Sequence, residues 1–506
     1  MITYTMVPGQ IPAPAPPAKT PPLPRAPGYE VTLPPSLPAD APSAPTLRLM
    51  GLLHDLWEDV VPAASFVNTK LTAKLAQQLQ EPLVLASQCL PLWARELPRT
   101  HSFLFPLETR WKYLQLTSLG YARLLGQWNK TGADETLAAL AQLPRQKVRI
   151  ARSTLLASAV KVLNLYANAQ TVLEVEYFDE VGSGLGPTLE FYALVSHELQ
   201  RTELGLWRHD SAAQSEYVQA PALFPAPASS DATERVRTLF RALGQLIAKA
   251  LLDGRIVDVP FHPLFWRAVL RRRVPRTLST LRQVDASLAQ SLEAMERMSA
   301  DEVEALHLEG TLPGTDLVLP GWRADEPVTQ SRVHEYVQAI VDMCLADGIA
   351  QQLDAFRDGF DAVLPLEVLD VFQSKELATL FGQSQEDWDL ATLQRTVVAD
   401  HGFTSESAHF QDLLGILAAF SLEERRTFLQ WLTGAPRLPV GGFAALQPPL
   451  TVVRRQHEPP LQPNDYLPSV MTCVNYLKLP CYSDRETMKA RLHTAMYEGL
   501  TSFHLS

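Results

Sequence analysis

The chain has 506 residues, 46% of them hydrophobic, 8% aromatic and 20% charged, with a formal net charge of −11. That length exceeds what one hydrophobic core supports and predicts about three domains or lobes, while the acidic balance argues against nucleic-acid binding as the main activity. Four cysteines, none in a CxxC pair, exclude a disulfide scaffold and a thiolate zinc site.

Fourteen of the 40 prolines fall within residues 1–45, where Lys19, Arg25, Glu30 and Asp40 are the charged positions. Residues 1–46 therefore read as a disordered, polyproline-like arm. No basic start followed by an apolar core suggests a secretory signal, and runs such as Leu413 to Phe420 fall short of a bilayer span. An intracellular, soluble protein is expected, in cytoplasm, nucleus or both.

From Leu47 to about Leu140 the spacing is helical, through Leu49, Leu52, Leu53, Leu56 and Val60, then Tyr113, Leu116, Leu119 and the Leu124–Leu125 pair. A further helix is expected within 144–170, through Leu155, Ala159, Val162 and Leu163. Apolar and acidic residues then alternate from Leu173 to Tyr177, the mark of a half-buried strand. A turn over Gly182–Pro187 follows, then a helix over Leu189–Leu199, and residues 208–231 read as a mobile loop. Val236, Phe240, Leu243, Ile247 and Leu251 predict an amphipathic helix over 231–253, stopped by Gly254; a similar one spans 331–346. Between them, 303–328 suggests short strands and turns. Late in the chain, Ser421-x-x-Glu424 opens a helix that Gly434 ends, and Ser483-x-x-Glu486 opens another with Gly499 as its stop. Leu450–Val453 and Cys473–Leu479 are β-prone, so the last hundred residues read as a compact α/β unit.

Most chemical signals along the chain have bland readings. Gly182-x-Gly-x-Gly186 lacks dinucleotide-loop spacing and is followed by Pro187. Arg271–Arg273 reads as a solvated helix end, and His209, His262, His307 and His401 show no metal-site spacing. No GxSxG elbow is present. Cys89 and Cys344 lie in apolar contexts and read as core. Cys473 lies in a short β-prone run bracketed by Pro468 and Pro480, where a loop enters a strand. Composition alone leaves both a buried structural thiol and an exposed, polarised nucleophile open there.

Residues 467–482, LPSVMTCVNYLKLPCY, resemble the active-site signature of HECT-type E3 ubiquitin ligases. Leu429–Phe443, Glu180–Phe191, Phe240–Ala250, Pro260–Phe265 and the terminal Ser502–Ser506 resemble further segments of that family in the same order. The run GSGLGPTLEFYALVSHELQ, with Leu71–Leu75, Leu104–Pro106 and Glu108–Arg110 upstream, is similar to the ubiquitin-fusion-degradation or KAKTUS-like branch. The resemblance covers about residues 65–506.

What it implies is an α+β, bilobal HECT domain. A helical upstream region would span 47–143. A mostly helical N-lobe would span 144–390 with an E2-binding subdomain at about 285–350, its Leu312, Leu317 and Leu319 exposed as anchors. After a hinge near 388–400, an α/β C-lobe would span 391–506. Cys473 would carry ubiquitin as a thioester received from a charged E2 and pass it to substrate lysines, with Thr472 beside it and Phe503 of the tail assisting. The partners implied are a ubiquitin-charged E2, ubiquitin and protein substrates, with no cofactor, metal, nucleic acid or membrane. Cys481, where the family usually has another residue, is a conceivable back-up thiol. Branch members carry a long armadillo-like region ahead of the HECT domain; only the arm and a short helical stretch stand there in this sequence. Substrate choice is then missing, supplied by another chain, or lost in a fragment. A non-catalytic E2- or ubiquitin-binding remnant and a cysteine protease are the competing readings; the intact LPSVMTC run and the missing protease signature weigh against them.

Overall fold

The computed structural model describes residues 33–57, 60–128, 141–178, 180, 184–209, 215–228, 233–382, 386–439, 441–458, 460–472 and 474–503. Most of the expected proline-rich arm lies outside them. The chain divides into two compact units, residues 1–66 and 67–506. In the first, a helix spans Ala44–Trp57, and the buried His54 packs edge-on against Phe66 with ring centroids 5.3 Å apart. The helical spacing was legible, yet Leu49, Leu56 and Val60 stay exposed.

The second unit is α+β. Helices Thr69–Gln78, Leu92–Thr100, Leu107–Thr117 and Tyr121–Trp128 come first. Arg110 ties them to the segment around residue 371. Its side chain is buried, donates to the Phe105 and Val371 carbonyls at 2.8 and 2.9 Å, and pairs with Glu376. Strand β1 (Arg145–Ile150) then pairs in parallel with β2 (Val172–Tyr177) through the helix Leu155–Tyr166. The sequence reading had missed β1, because Arg145, Lys147 and Arg149 alternate with polar Gln146 at its start and mask the strand period. In the sheet these cations pair with Glu174 and Glu176 on β2.

The helix Thr233–Asp253 keeps its amphipathic pattern at first, with Arg237, Thr238 and Arg241 exposed, and is buried all round from Ala242 to Leu252, where it forms the axis of a core. It crosses helix Ala350–Asp361 where Gly244 and Gly359 face backbone; a Cβ on either would overlap the partner's main chain. The expected loop at 208–231 is pinned in its described part. Leu223 and Phe224 are buried, and Leu223 exchanges backbone hydrogen bonds with Pro260 and His262. Arg272, expected to be solvated, instead donates to the Asp370 and Phe372 carbonyls.

A second core gathers Trp388, Leu393 and Val397 with Phe428, Trp431, Phe443, Val452, Leu477 and Leu492. Residues 388–397, expected at a hinge, are therefore anchored in this core. Its four-stranded sheet has the order β3 (Val398–Asp400), β4 (Thr451–Arg454), β6 (Tyr476–Leu479), β5 (Ser469–Met471). β3, β4 and β6 run parallel and β5 antiparallel to β6. Helices Leu390–Thr396, Ala408–Ala418, Leu422–Thr433 and Arg485–Phe503 complete this part. Ser421 and Glu424 form the capping box as expected, and Gly434 closes that helix with φ +81°. The last helix differs. Asp484, not Ser483, accepts from the Thr487 N–H at 2.8 Å, and the helix runs past Gly499 to Phe503. Among the described residues no helix is long and apolar enough to cross a membrane.

Candidate active site

β5 and β6 are joined by a four-residue turn, 472–475, with Met471 opposite Tyr476. The turn is tight because Val474 donates to the Met471 carbonyl at 3.2 Å and Asn475 adopts φ +52°, a region asparagine tolerates better than most residues. Asn475 is buried. Its Nδ2 donates to the Pro448 carbonyl at 2.7 Å, and its carbonyl accepts from Thr451 at 3.1 Å. These two bonds hold the turn against the start of β4. Cys473 falls in this turn by sequence and lies outside the described residues; Thr472 before it is half-buried.

The residue against Thr472 is Gly186. A Cβ built there would stand 3.5 Å from Thr472 Oγ1. Gly184, at φ +94°, brings the chain into helix Leu185–Glu198, and Gly186 sits in its first turn. Thr188 fastens that turn by accepting from the Val175 N–H at 2.9 Å and donating to the Gly184 carbonyl at 2.8 Å. A helix start leaves N–H groups unpaired and carries partial positive charge.

The same helix is braced from β1's side. Arg152 makes a two-bonded pair with Glu190 at 2.8 and 2.9 Å, bonds Glu180 as well, and lies 3.8 Å over the Tyr177 ring. Burial opposes its charge, but the two carboxylates hold its pKa above the usual arginine range.

A seam joins the two cores. Buried Arg437 donates from Nη1 to Val257 and from Nη2 to Thr379, both at 2.9 Å, and lies 3.7 Å from Asp258. The Leu438 N–H donates to Glu386 Oε1 at 2.7 Å. Burial pushes the Asp258 carboxyl up, against the pull of Arg437 and Arg426.

The remaining sequence candidates scatter. Cys89 is exposed, contrary to the core reading, because it follows a short helix at a loop. Cys344 is buried as expected, with Arg208 Nη1 3.2 Å from its sulfur; burial raises its pKa against the opposing pull of Arg208. Cys481 is half-buried and packs against the second core. Leu312 and Leu319 are buried and Leu317 is half-buried, so they are not the exposed anchors expected. Short bridges Thr311↔Val318 and Glu309↔Pro327 turn their side chains inward, leaving Leu306 and Val318 outside. Phe503 belongs to the last helix by its backbone; its side chain lies outside the described residues. Sequence reasoning had missed the Gly186–Thr472 contact and the Arg437 seam. Gly186 and Thr472 both lie in segments singled out, but nothing in the sequence pairs them; Arg437 lies in such a segment while its partners Val257 and Thr379 do not.

Residues 193–506 match the profile of the HECT domain (ubiquitin-transferase). The chain belongs to the HECT family. It is 45% identical over 464 residues to a probable ubiquitin fusion degradation protein of Schizosaccharomyces pombe, covering 87% of this chain and 28% of that protein. It is 41% identical over 494 residues to ubiquitin fusion degradation protein 4 of Saccharomyces cerevisiae, covering 92% and 33%. With E3 ubiquitin-protein ligase TRIP12 of Danio rerio the identity is 36% over 529 residues, covering 92% and 26%. The chain thus spans about a quarter to a third of the length of these curated relatives. The HECT match begins at residue 193, inside helix Leu185–Glu198; Gly186, which faces Thr472, and the Arg152 brace on the same helix stand ahead of it.

Proposed function

We propose that this chain is an E3 ubiquitin transferase that acts through a thioester on Cys473. The observation that carries the reading is the turn at 472–475, anchored by Asn475 and packed on the Gly186 helix start, within a HECT chain. In the first step the Cys473 thiolate attacks the thioester carbonyl of a ubiquitin-charged E2. A new sulfur–carbonyl bond forms and the E2 thiolate leaves. In the second, a substrate lysine amine attacks the new thioester, an isopeptide bond forms, the Cys473 thiolate leaves and the amine proton passes to solvent or a base. Exchange between thioesters needs no metal, only positioning, and positioning can supply a large part of the rate.

The two cores support a division of labour. Residues 144 to about 387 form the N-lobe, whose unit within 285–350 receives the E2 through exposed groups such as Leu306 and Val318. The C-lobe begins at Trp388. Residues 1–46 and 47–143 are an arm and a helical upstream region. Thr472 orients the turn, and Phe503 acts in the lysine step. Because relatives carry ubiquitin fusion degradation in their names, the products are directed to degradation, in the cytoplasm or nucleus.

The test is incubation with E1, ubiquitin, ATP and a panel of E2s. A DTT-sensitive ubiquitin adduct that Cys473→Ala removes supports the reading. Binding of charged E2 without any adduct makes the chain a non-catalytic remnant.

A further inference from the structure

The second core covers one face of the four-stranded sheet. Val452, Leu477 and Leu479 point into it, and Val470 packs against it. By the strand alternation their neighbours Lys478, Ser469, Met471 and Tyr476 lie on the opposite face. Parallel strands are ordinarily covered on both faces. Here the second face holds a groove of about 510 Å³, lined among others by Arg454, Arg455, Lys478, His401, Met471 and Tyr476. That volume is in the ~300–1,000 Å³ range of ligand sites.

Position and charge give the groove its meaning. Met471 and Tyr476 are the residues that bound the 472–475 turn, so the groove opens beside it. Lys478 and Arg454 are exposed, and neither is joined to a carboxylate among the described residues. Arg455 is half-spent, donating to the Leu467 carbonyl at 2.6 Å and lying over Tyr466. Asp400, on the same face, stands 3.5 Å from His401. The groove is therefore a cationic concavity with an apolar floor on a chain whose net charge is −11. A low-dielectric wall lined by one sign of charge concentrates the opposite sign.

We propose that this groove binds an acidic, extended peptide segment, and that in doing so it favours acceptor lysines flanked by aspartate or glutamate. The acceptor role rests on the thioester reading of Cys473; the binding role does not. Carboxylates of the flanking residues engage Lys478 and Arg454, their aliphatic parts lie on Met471 and Tyr476, and the lysine between them is left at the turn. The repulsion that an acidic peptide meets over the rest of the surface sharpens the selection.

The experiment uses the full chain. A fluorescein-labelled peptide with glutamates on both sides of a single lysine is titrated against it, beside a peptide with arginines in the flanking positions, at low and at physiological salt. The acidic peptide should bind about tenfold more tightly at low salt, and the difference should shrink as salt rises. The double variant R454E/K478E should lose the preference with an unchanged unfolding midpoint. Equal binding of both peptides, or a preference that survives in the variant, overturns the proposal. The same peptides are then offered to preloaded chain in a single turnover. Faster transfer to the acidic peptide in the parent, lost in the variant while loading from E2 is equal, upholds the acceptor role; transfer indifferent to the flanks overturns it. Acidic-peptide binding in a chain that never loads ubiquitin upholds the groove and overturns the transferase reading.

Discussion

Arg437 and Val257, 180 positions apart, are joined by a hydrogen bond of 2.9 Å from guanidinium Nη1 to carbonyl oxygen. The same guanidinium serves Thr379, and with Asp258 beside it this one side chain holds the two cores at a set distance. Arg437→Ala would leave two buried carbonyls without their donor and take the nearer of two cations, 3.7 Å against 4.0 Å for Arg426, away from the Asp258 carboxylate. Breaking a buried, bonded charge in this way costs about 3 kcal/mol. Urea unfolding should show that loss. Arg437→Lys should recover part of it at most, since an ammonium cannot reproduce the two-pronged geometry. Hydrogen exchange should rise at residues 257–261 and 379–382. Unchanged exchange there would mean that the seam is held elsewhere.

Which features could be read from the sequence follows from how local their causes are. The Ser421–Glu424 box and Gly434 stop are satisfied within one helical turn, so the pattern alone placed that helix. The Cys473 signature is a contiguous run, and it led to the family without any contact being known. Gly499 shows the opposite case. A glycine near the end of a helical pattern reads as a stop, but its reason here is Trp431, far away in sequence. Leu312 and Leu319 were misjudged likewise: the Thr311↔Val318 bridge decides their side, and no local pattern reveals it. Gly186 looked like part of a turn because Thr472, which it accommodates, is brought to it only by the tertiary fold.

His262 provides a pH test. Its Nδ1 accepts from the Leu264 N–H at 3.1 Å to cap helix Pro263–Val269, so the ring must stay neutral at that nitrogen. Burial lowers its pKa from 6.5 to about 4, with a backbone bond to Gln283 opposing. A depressed folded pKa means that the unfolded chain binds the proton first. The contribution is complete above pH 6.5 and is lost as pH falls through about 4. The span is worth roughly 3 kcal/mol at most. Thermal unfolding between pH 7 and 4 should show the decline, and His262→Asn, which can still cap, should flatten it. An identical slope in the variant would assign the acid sensitivity to other groups.

Cys473 and Cys481 can be separated by chemistry. Cys481 is half-buried against the second core and serves packing, so Cys481→Ala should leave E2-dependent loading intact and lower stability by about 1 kcal/mol. Cys473→Ser should replace a DTT-sensitive adduct by a DTT-resistant ester or by none. Gel analysis of the adduct with and without DTT decides. Loading that survives Cys473→Ala and disappears with Cys481→Ala would reverse the assignment.

The last helix links Gly499 to the tail. A Cβ at Gly499 would come within 2.7 Å of Trp431 Cδ1 and Nε1, closer than real contacts allow. Trp431 is buried in the second core, so its ring has little room to withdraw. Gly499→Leu must therefore lift the end of the helix away from the core. The backbone is helical through Phe503, so whatever displaces residue 499 displaces Phe503 with it. Without a stop at Gly499 the backbone through Phe503 is an extension of a packed helix, and its course is set where Gly499 meets Trp431. Misplacing a positioning group by about 1 Å can cost on the order of 100-fold in rate. If Phe503 acts in the lysine step, Gly499→Leu and Phe503→Ala should share one phenotype: near-normal loading of Cys473 and strongly slowed transfer to lysine. A single-turnover chase of preloaded chain measures both steps separately. Loss of loading in Gly499→Leu with normal loading in Phe503→Ala would show that the helix end supports the fold of the second core and not the tail. Normal lysine transfer in Phe503→Ala would remove the tail from the reaction altogether.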